Sequence, residues 1–168
     1  MRIRMNTMTR LMLIACLVLP LLAACKKEEA VQAEVKAPMS APTTDDRQAW
    51  VDYLNDVVPR NMVGISNQPY VYLLPGVSAA DFEEQYGRLL EKAQSDVARG
   101  IISGNLLAYA SPASDRMADM VVAAFTGVPA DSMKGVRVLF IGAAADSERV
   151  KAAVSPTGVE YVFVDTAR

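Results

Sequence analysis

The stretch Val136-Arg137-Val138-Leu139-Phe140-Ile141-Gly142 decides the fold. Its apolar residues run almost without interruption, rich in β-branched and aromatic types, and Gly135 and Gly142 bound it. A short continuous apolar run between turn residues reads as a strand buried on both faces, the kind found in parallel sheets. Upstream, Met117, Met120, Val121, Ala124 and Phe125 recur at helical spacing and stop at Gly127. Leu106 to Ala110 precedes them as a second strand ending at Ser111-Pro112, and Pro112 suits a first helical position. Further back, Phe82, Tyr86, Leu89, Leu90, Ala93 and Val97 mark one helical side that ends at Gly100. Ser78 and Asp81 offer a capping box at its start.

Tyr70 to Leu74, closed by Pro75-Gly76, is the earliest strand. Before it, Trp50, Tyr53, Leu54, Val57 and Val58 share a helical face after Thr43-Thr44-Asp45-Asp46, and Pro59 closes that helix. Downstream of Gly142, a helix from about Asp146 to Val154 leads to a last strand, Glu160 to Val164. The order is an N-terminal helix, then β-α-β-α-β-α-β. Strands alternating with helices require crossovers and parallel pairing, hence a single layered α/β domain over residues 45–168 with a mainly parallel four-stranded sheet. Strand order is not readable from such a pattern.

The remaining 44 residues read differently. Arg2, Arg4 and Arg10 precede the apolar run Leu11 to Leu22, which suits a signal peptide over residues 1–24 and is shorter than the roughly 20 residues of a spanning helix. Leu22-Ala23-Ala24-Cys25 follows. This resembles the lipobox of bacterial lipoproteins, in which a peptidase cuts before a Cys that becomes lipid-modified. The resemblance implies an acylated Cys25 inserted into membrane lipid, and Lys26 in place of Asp implies the outer membrane, facing the periplasm. Residues 26–44, KKEEAVQAEVKAPMSAPTT, have no periodic apolar face and read as a flexible tether with a span of about 25 Å.

Charge and residue inventory exclude several chemistries. Without residues 1–24 the chain has 144 residues with 14 basic and 19 acidic side chains, a net charge of −5, so nucleic acid is not an expected partner. The sequence contains no His, which rules out Ser-His-Asp and Cys-His pairs and imidazole-ligated zinc. Cys16 leaves with the signal and Cys25 is consumed by lipid, which removes thiolate catalysis. There is no G-x-G-x-x-G after the first strand and no G-x-x-x-x-G-K-[ST], so no nucleotide cofactor is expected.

Ligands of open parallel sheets bind beyond the carboxyl ends of the strands. Those loops contain Ser78, Ser114, Asp115, Arg116, Asp146 and Asp165, which are the candidate contacts for a ligand or a partner. Capping explains most of the small polar residues without function. Arg116 stands out, because its guanidinium can pair bidentately with a partner carboxylate. Acids in these loops could gather around a hard cation, although no metal-ligating set is identified. Two function classes follow. One is a membrane-anchored, non-enzymatic accessory or protein-binding module that meets another envelope protein. The other is a small-molecule or cation-binding α/β protein, with hydrolysis as the activity such a site would carry.

Overall fold

The computed structural model describes residues 37–167. Four helices and four strands alternate in the expected order: α1 Arg47–Arg60, β1 Tyr70–Leu73, α2 Phe82–Ala98, β2 Leu106–Ala110, α3 Ser114–Phe125, β3 Arg137–Gly142, α4 Ala144–Val154 and β4 Glu160–Asp165. A 3₁₀ turn, Ser155–Thr157, closes α4. All three strand pairings are parallel and the sheet order is β1-β2-β3-β4. The domain is α/β, as the alternation requires.

A strand order that runs in one direction has a strong consequence. Right-handed crossovers then place every connecting helix on the same face of the sheet. The packing agrees: Phe82, Ala93 and Val97 of α2, Met117, Met120 and Val121 of α3, and Val150 and Val154 of α4 share one core with Tyr72, Leu107, Tyr109, Val138 and Phe140. The opposite face carries Leu106, Ala108, Ala110, Leu139 and Ile141, and α1 covers it with Trp50, Tyr53, Leu54, Val57 and Val58. Alternate residues of each strand therefore serve two cores, which is why β2 and β3 lack a polar face.

Helix α1 starts where capping chemistry predicts: the Asp46 carboxylate accepts from Ala49 N at 2.7 Å. Its C-terminal end meets the start of β3, where Arg137 donates to the carbonyls of Asn61 at 2.5 Å and Val63 at 3.0 Å. Helix α1 thus runs antiparallel to the strands. The packed unit begins at Ala37, eight residues before the boundary expected from composition. Residues 37–44 lie along α1. Arg60 donates to Ala37 O, Met39 N donates to Asp56, Ala41 is buried, and Trp50 Nε1 donates to Thr44 O at 2.9 Å. The composition gave no hint of this strap because its contacts are backbone carbonyls and amides, with one buried methyl.

The capping box expected for α2 does not form. Asp81 makes no cap hydrogen bond to the helix backbone and instead accepts from Gln85. Ser78 turns away from the helix and donates to Asp45 at 2.6 Å, tying the β1–α2 loop to the start of α1. Gly76 makes that approach possible, since a Cβ there would overlap the Asp45 carboxylate.

Candidate functional site

The strand-end loops bring together some of the six candidate residues and separate others. Ser114 opens α3 and donates to Asp146, in the first turn of α4, at 2.6 Å, while its Oγ accepts from Ala143 N at 2.7 Å. Gly142 leaves room for this contact, as a Cβ would sit 2.6 Å from Ser114 Oγ and 2.7 Å from the Phe140 ring. Arg149 completes the group. It donates to Asp146 at 2.9 and 3.1 Å, to the Asp115 carbonyl at 2.7 Å, and to Asp119. Burial disfavours the Arg149 charge, but hydrogen bonds to Asp119 and Asp146 outweigh it and raise its pKa. The Asp115 carboxylate itself is exposed.

Arg116 belongs to a different cluster. It pairs with Glu83 of α2 at 3.0 and 3.2 Å, and its guanidinium lies 4.7 Å from the Tyr86 ring centroid and 5.3 Å from that of Phe82. Its side chain is 33% exposed, so the residue expected to reach for a partner already has carboxylate and aromatic neighbours within the fold. A shallow cavity of about 480 Å³ beside it is lined by Val77, Asp81, Phe82 and Glu83, and by none of Asp115, Asp146 or Asp165. Ser78 is occupied with Asp45, and Asp165 at the end of β4 accepts from Ala167 N at 3.0 Å.

The arrangement is a lacing of helices. Arg116 joins α3 to α2, and Arg149 with Ser114 joins α3 to α4. Arg149, Asp119 and Glu83 were missed from sequence; the spacing of Asp146 and Arg149, three residues apart on a helix, was the available signal. Among the described residues, no group of three or more acidic or Cys side chains could hold a metal ion. Topology also works against a ligand crevice at the strand ends. Ligand crevices of open α/β sheets form where the strand order reverses and neighbouring loops diverge to opposite faces. The order β1-β2-β3-β4 has no reversal.

A cluster around the buried carboxylate of Asp96 lies between β1, β2 and α2. Tyr72 and Tyr109 stack with centroids 4.7 Å apart and planes 9° from parallel. Tyr72 donates to Asp96 at 2.8 Å; Lys92 and Arg99 hold the other approaches to the same carboxylate. Burial opposes the Asp96 charge, but hydrogen bonds from Lys92, Tyr72 and Arg99 and the Lys92 charge outweigh it and keep the carboxyl below its usual range. Both tyrosines are pushed above theirs, chiefly by burial. Such phenols stay protonated and carry no nucleophile. No helix among the described residues is long and apolar enough to cross a membrane. No family model, curated protein or solved structure matches the chain.

Proposed function

We propose that this chain is a lipid-anchored, periplasm-facing lipoprotein of the bacterial outer membrane that acts as a non-enzymatic accessory or protein-binding module. The observation that carries the reading is Leu22-Ala23-Ala24-Cys25 after a 12-residue apolar run and three Arg. Acylation at Cys25 provides firm attachment once two or more chains insert, because each buried CH₂ contributes about 0.8 kcal/mol.

Features of the domain support a binding role over small-molecule chemistry. Ser78, Ser114, Arg116 and Asp146 are engaged with other side chains of the same domain. The sheet lacks the strand-order reversal at which ligand crevices form. The path of the chain also bears on presentation. Ala37 lies beside Arg60, at the end of the domain where strands begin. The 12 residues from Cys25 to Ala37 reach at most about 42 Å, so an acylated Cys25 would keep Ala37 within that distance of the lipid.

Replacement of Cys25 by Ala tests the anchor. The native chain, extracted from membranes, should show the mass of a processed, acylated Cys25, and the Cys25→Ala chain should accumulate as an unacylated precursor. An unmodified Cys25 in the native chain would overturn the reading.

A further inference from the structure

The edge of the sheet at β1 has the features of a recognition surface that the strand-end loops lack. Strand β1 has a neighbour on one side only. Leu74 N bonds Ala110 O, so by strand alternation Val71 and Leu73 direct their backbone N–H and C=O groups away from β2. Their side chains face α1, and Val71 is 43% exposed. Between them and α1 runs a groove of about 570 Å³ lined by Val51, Leu54, Val58, Met62, Val71 and Leu73. Arg47 and Leu73 at its upper end also line a second concavity of about 230 Å³, which Arg88 and Lys92 complete. Among the described residues, no carboxylate lines either space.

Arg47 is not explained by the fold. It occupies the first position of α1, where the helix dipole disfavours a cation, and it has no hydrogen bond or ion pair to another described residue. A side chain that opposes a local rule without a structural return marks a place to look for function. Arg88 and Lys92, four residues apart on α2, are paired on their own helix with Glu84 and Asp96 but are both more than half exposed, so Arg47 is the cation of this group without a carboxylate partner among the described residues.

We propose that the β1 edge is a strand-addition site for an extended, partly apolar segment of a protein partner, with acidic residues of that segment held by Arg47, Arg88 and Lys92. Outward backbone groups of Val71 and Leu73 supply the ladder, the α1 groove takes alternate side chains, and the basic end sets position and charge preference. Pro69 and Pro75 flank the strand and limit pairing to a short stretch. A second copy is a poor occupant: antiparallel pairing would set the basic end of one β1 against Asn67, Gln68 and Pro69 of the other, which offer no carboxylate. Residues 26–36 of the same chain join the domain at Ala37 beside Asp56 and Arg60, on the flank of α1 opposite the groove.

This site rests on the protein-binding reading above. Its test uses the full chain in detergent and a fluorescein-labelled octapeptide of alternating Val and Thr ending in two Asp, with a matched peptide ending in two Lys. Anisotropy should show saturable binding of the acidic peptide, at least tenfold tighter than that of the basic one. Arg47→Glu with Arg88→Glu should weaken the acidic peptide at least tenfold, with unchanged circular dichroism, while Lys134→Glu should leave it unaffected. Amide resonances of Val71 and Leu73 should shift on binding. Absence of binding, equal affinity for the two peptides, or indifference to the double variant would overturn the site. So would a dimer in sedimentation that Val71→Lys dissociates. The Cys25 experiment is independent of β1, so an acylated chain that ignores both peptides rejects this edge alone.

Discussion

Tyr72 Oη donates a 2.8 Å hydrogen bond to a carboxylate oxygen of Asp96, which is 4% exposed although it lies on a helix flanked by exposed charges. Lys92 and Arg99 reach the same carboxylate from the solvent side, where they are 55% and 71% exposed. The acid therefore joins the inner aromatic layer to two surface cations. Asp96→Asn should lower stability by about 1–3 kcal/mol, the usual cost of weakening charge-assisted bonds to a buried acceptor. Urea unfolding at pH 7 measures it. A loss below about 0.3 kcal/mol would mean that water replaces the cluster at no cost.

The same groups set the pH dependence. The carboxyl of Asp96 is held below its usual range, so its contribution is present above the unfolded value near 4 and is lost as pH falls through the folded one. Tyr53, Tyr72, Tyr86, Tyr109 and Tyr161 are all raised, with burial the leading cause. Their contribution is fully present below the unfolded value near 10 and declines as pH rises beyond it. Urea midpoints should hold steady from about pH 6 to 8, fall below about pH 4 and fall again above about pH 10. Asp96→Asn should flatten the acid limb. A steep slope near neutrality would contradict the assignment, since the chain has no His.

Tyr109 provides a contrast with Tyr72. Its ring is fully buried against Tyr72, yet its hydroxyl has no hydrogen-bond partner among the described residues. An unsatisfied buried hydroxyl costs about 1–3 kcal/mol, so Tyr109→Phe should be neutral or stabilising by about 1 kcal/mol, while Tyr72→Phe should destabilise by a similar amount. Thermal unfolding of the two variants compares them. Equal losses at both positions would show that the Tyr109 hydroxyl is satisfied.

An exposed substitution typically shifts stability by within about 0.5 kcal/mol, the figure Arg116→Glu would take if the side chain had no neighbours. The contacts revise that figure. The new carboxylate would face Glu83 and lose the stacking on Phe82 and Tyr86, for a loss of about 1–2 kcal/mol. Arg116→Glu combined with Glu83→Arg should recover part of it. If the double variant is no more stable than the single one, the pair has no coupling energy.

Gly142→Ala should destabilise by about 1–3 kcal/mol, because the added methyl meets both Ser114 Oγ and the Phe140 ring at the end of β3. The same change with Ser114→Ala should cost less than the two single changes added together, since one obstacle is gone. Additive losses would place the strain at Phe140 alone.

Local pattern carried most of the secondary structure. Apolar periodicity placed β2 at Leu106–Ala110, matching the fold, and placed β3 and β4 to within a residue at each end. Parallel pairing followed from helices between the strands. The expectation of a processing signal over residues 1–25 rests on local chemistry too, and it lies outside the described residues. Strand order was not legible, because a helical crossover of ordinary length can reach either neighbour of a strand. That order decided the rest: it put α2, α3 and α4 on one face, left the other to α1 and the strap, and removed the crevice that the candidate loop residues needed. Partners were equally hidden. Ser114 meets Asp146 across 32 residues, Arg116 meets Glu83 across 33, and Tyr72 meets Asp96 across 24. Periodicity reports which face of an element is apolar; which polar groups meet depends on how separate elements stack, and that is set only when the whole core closes.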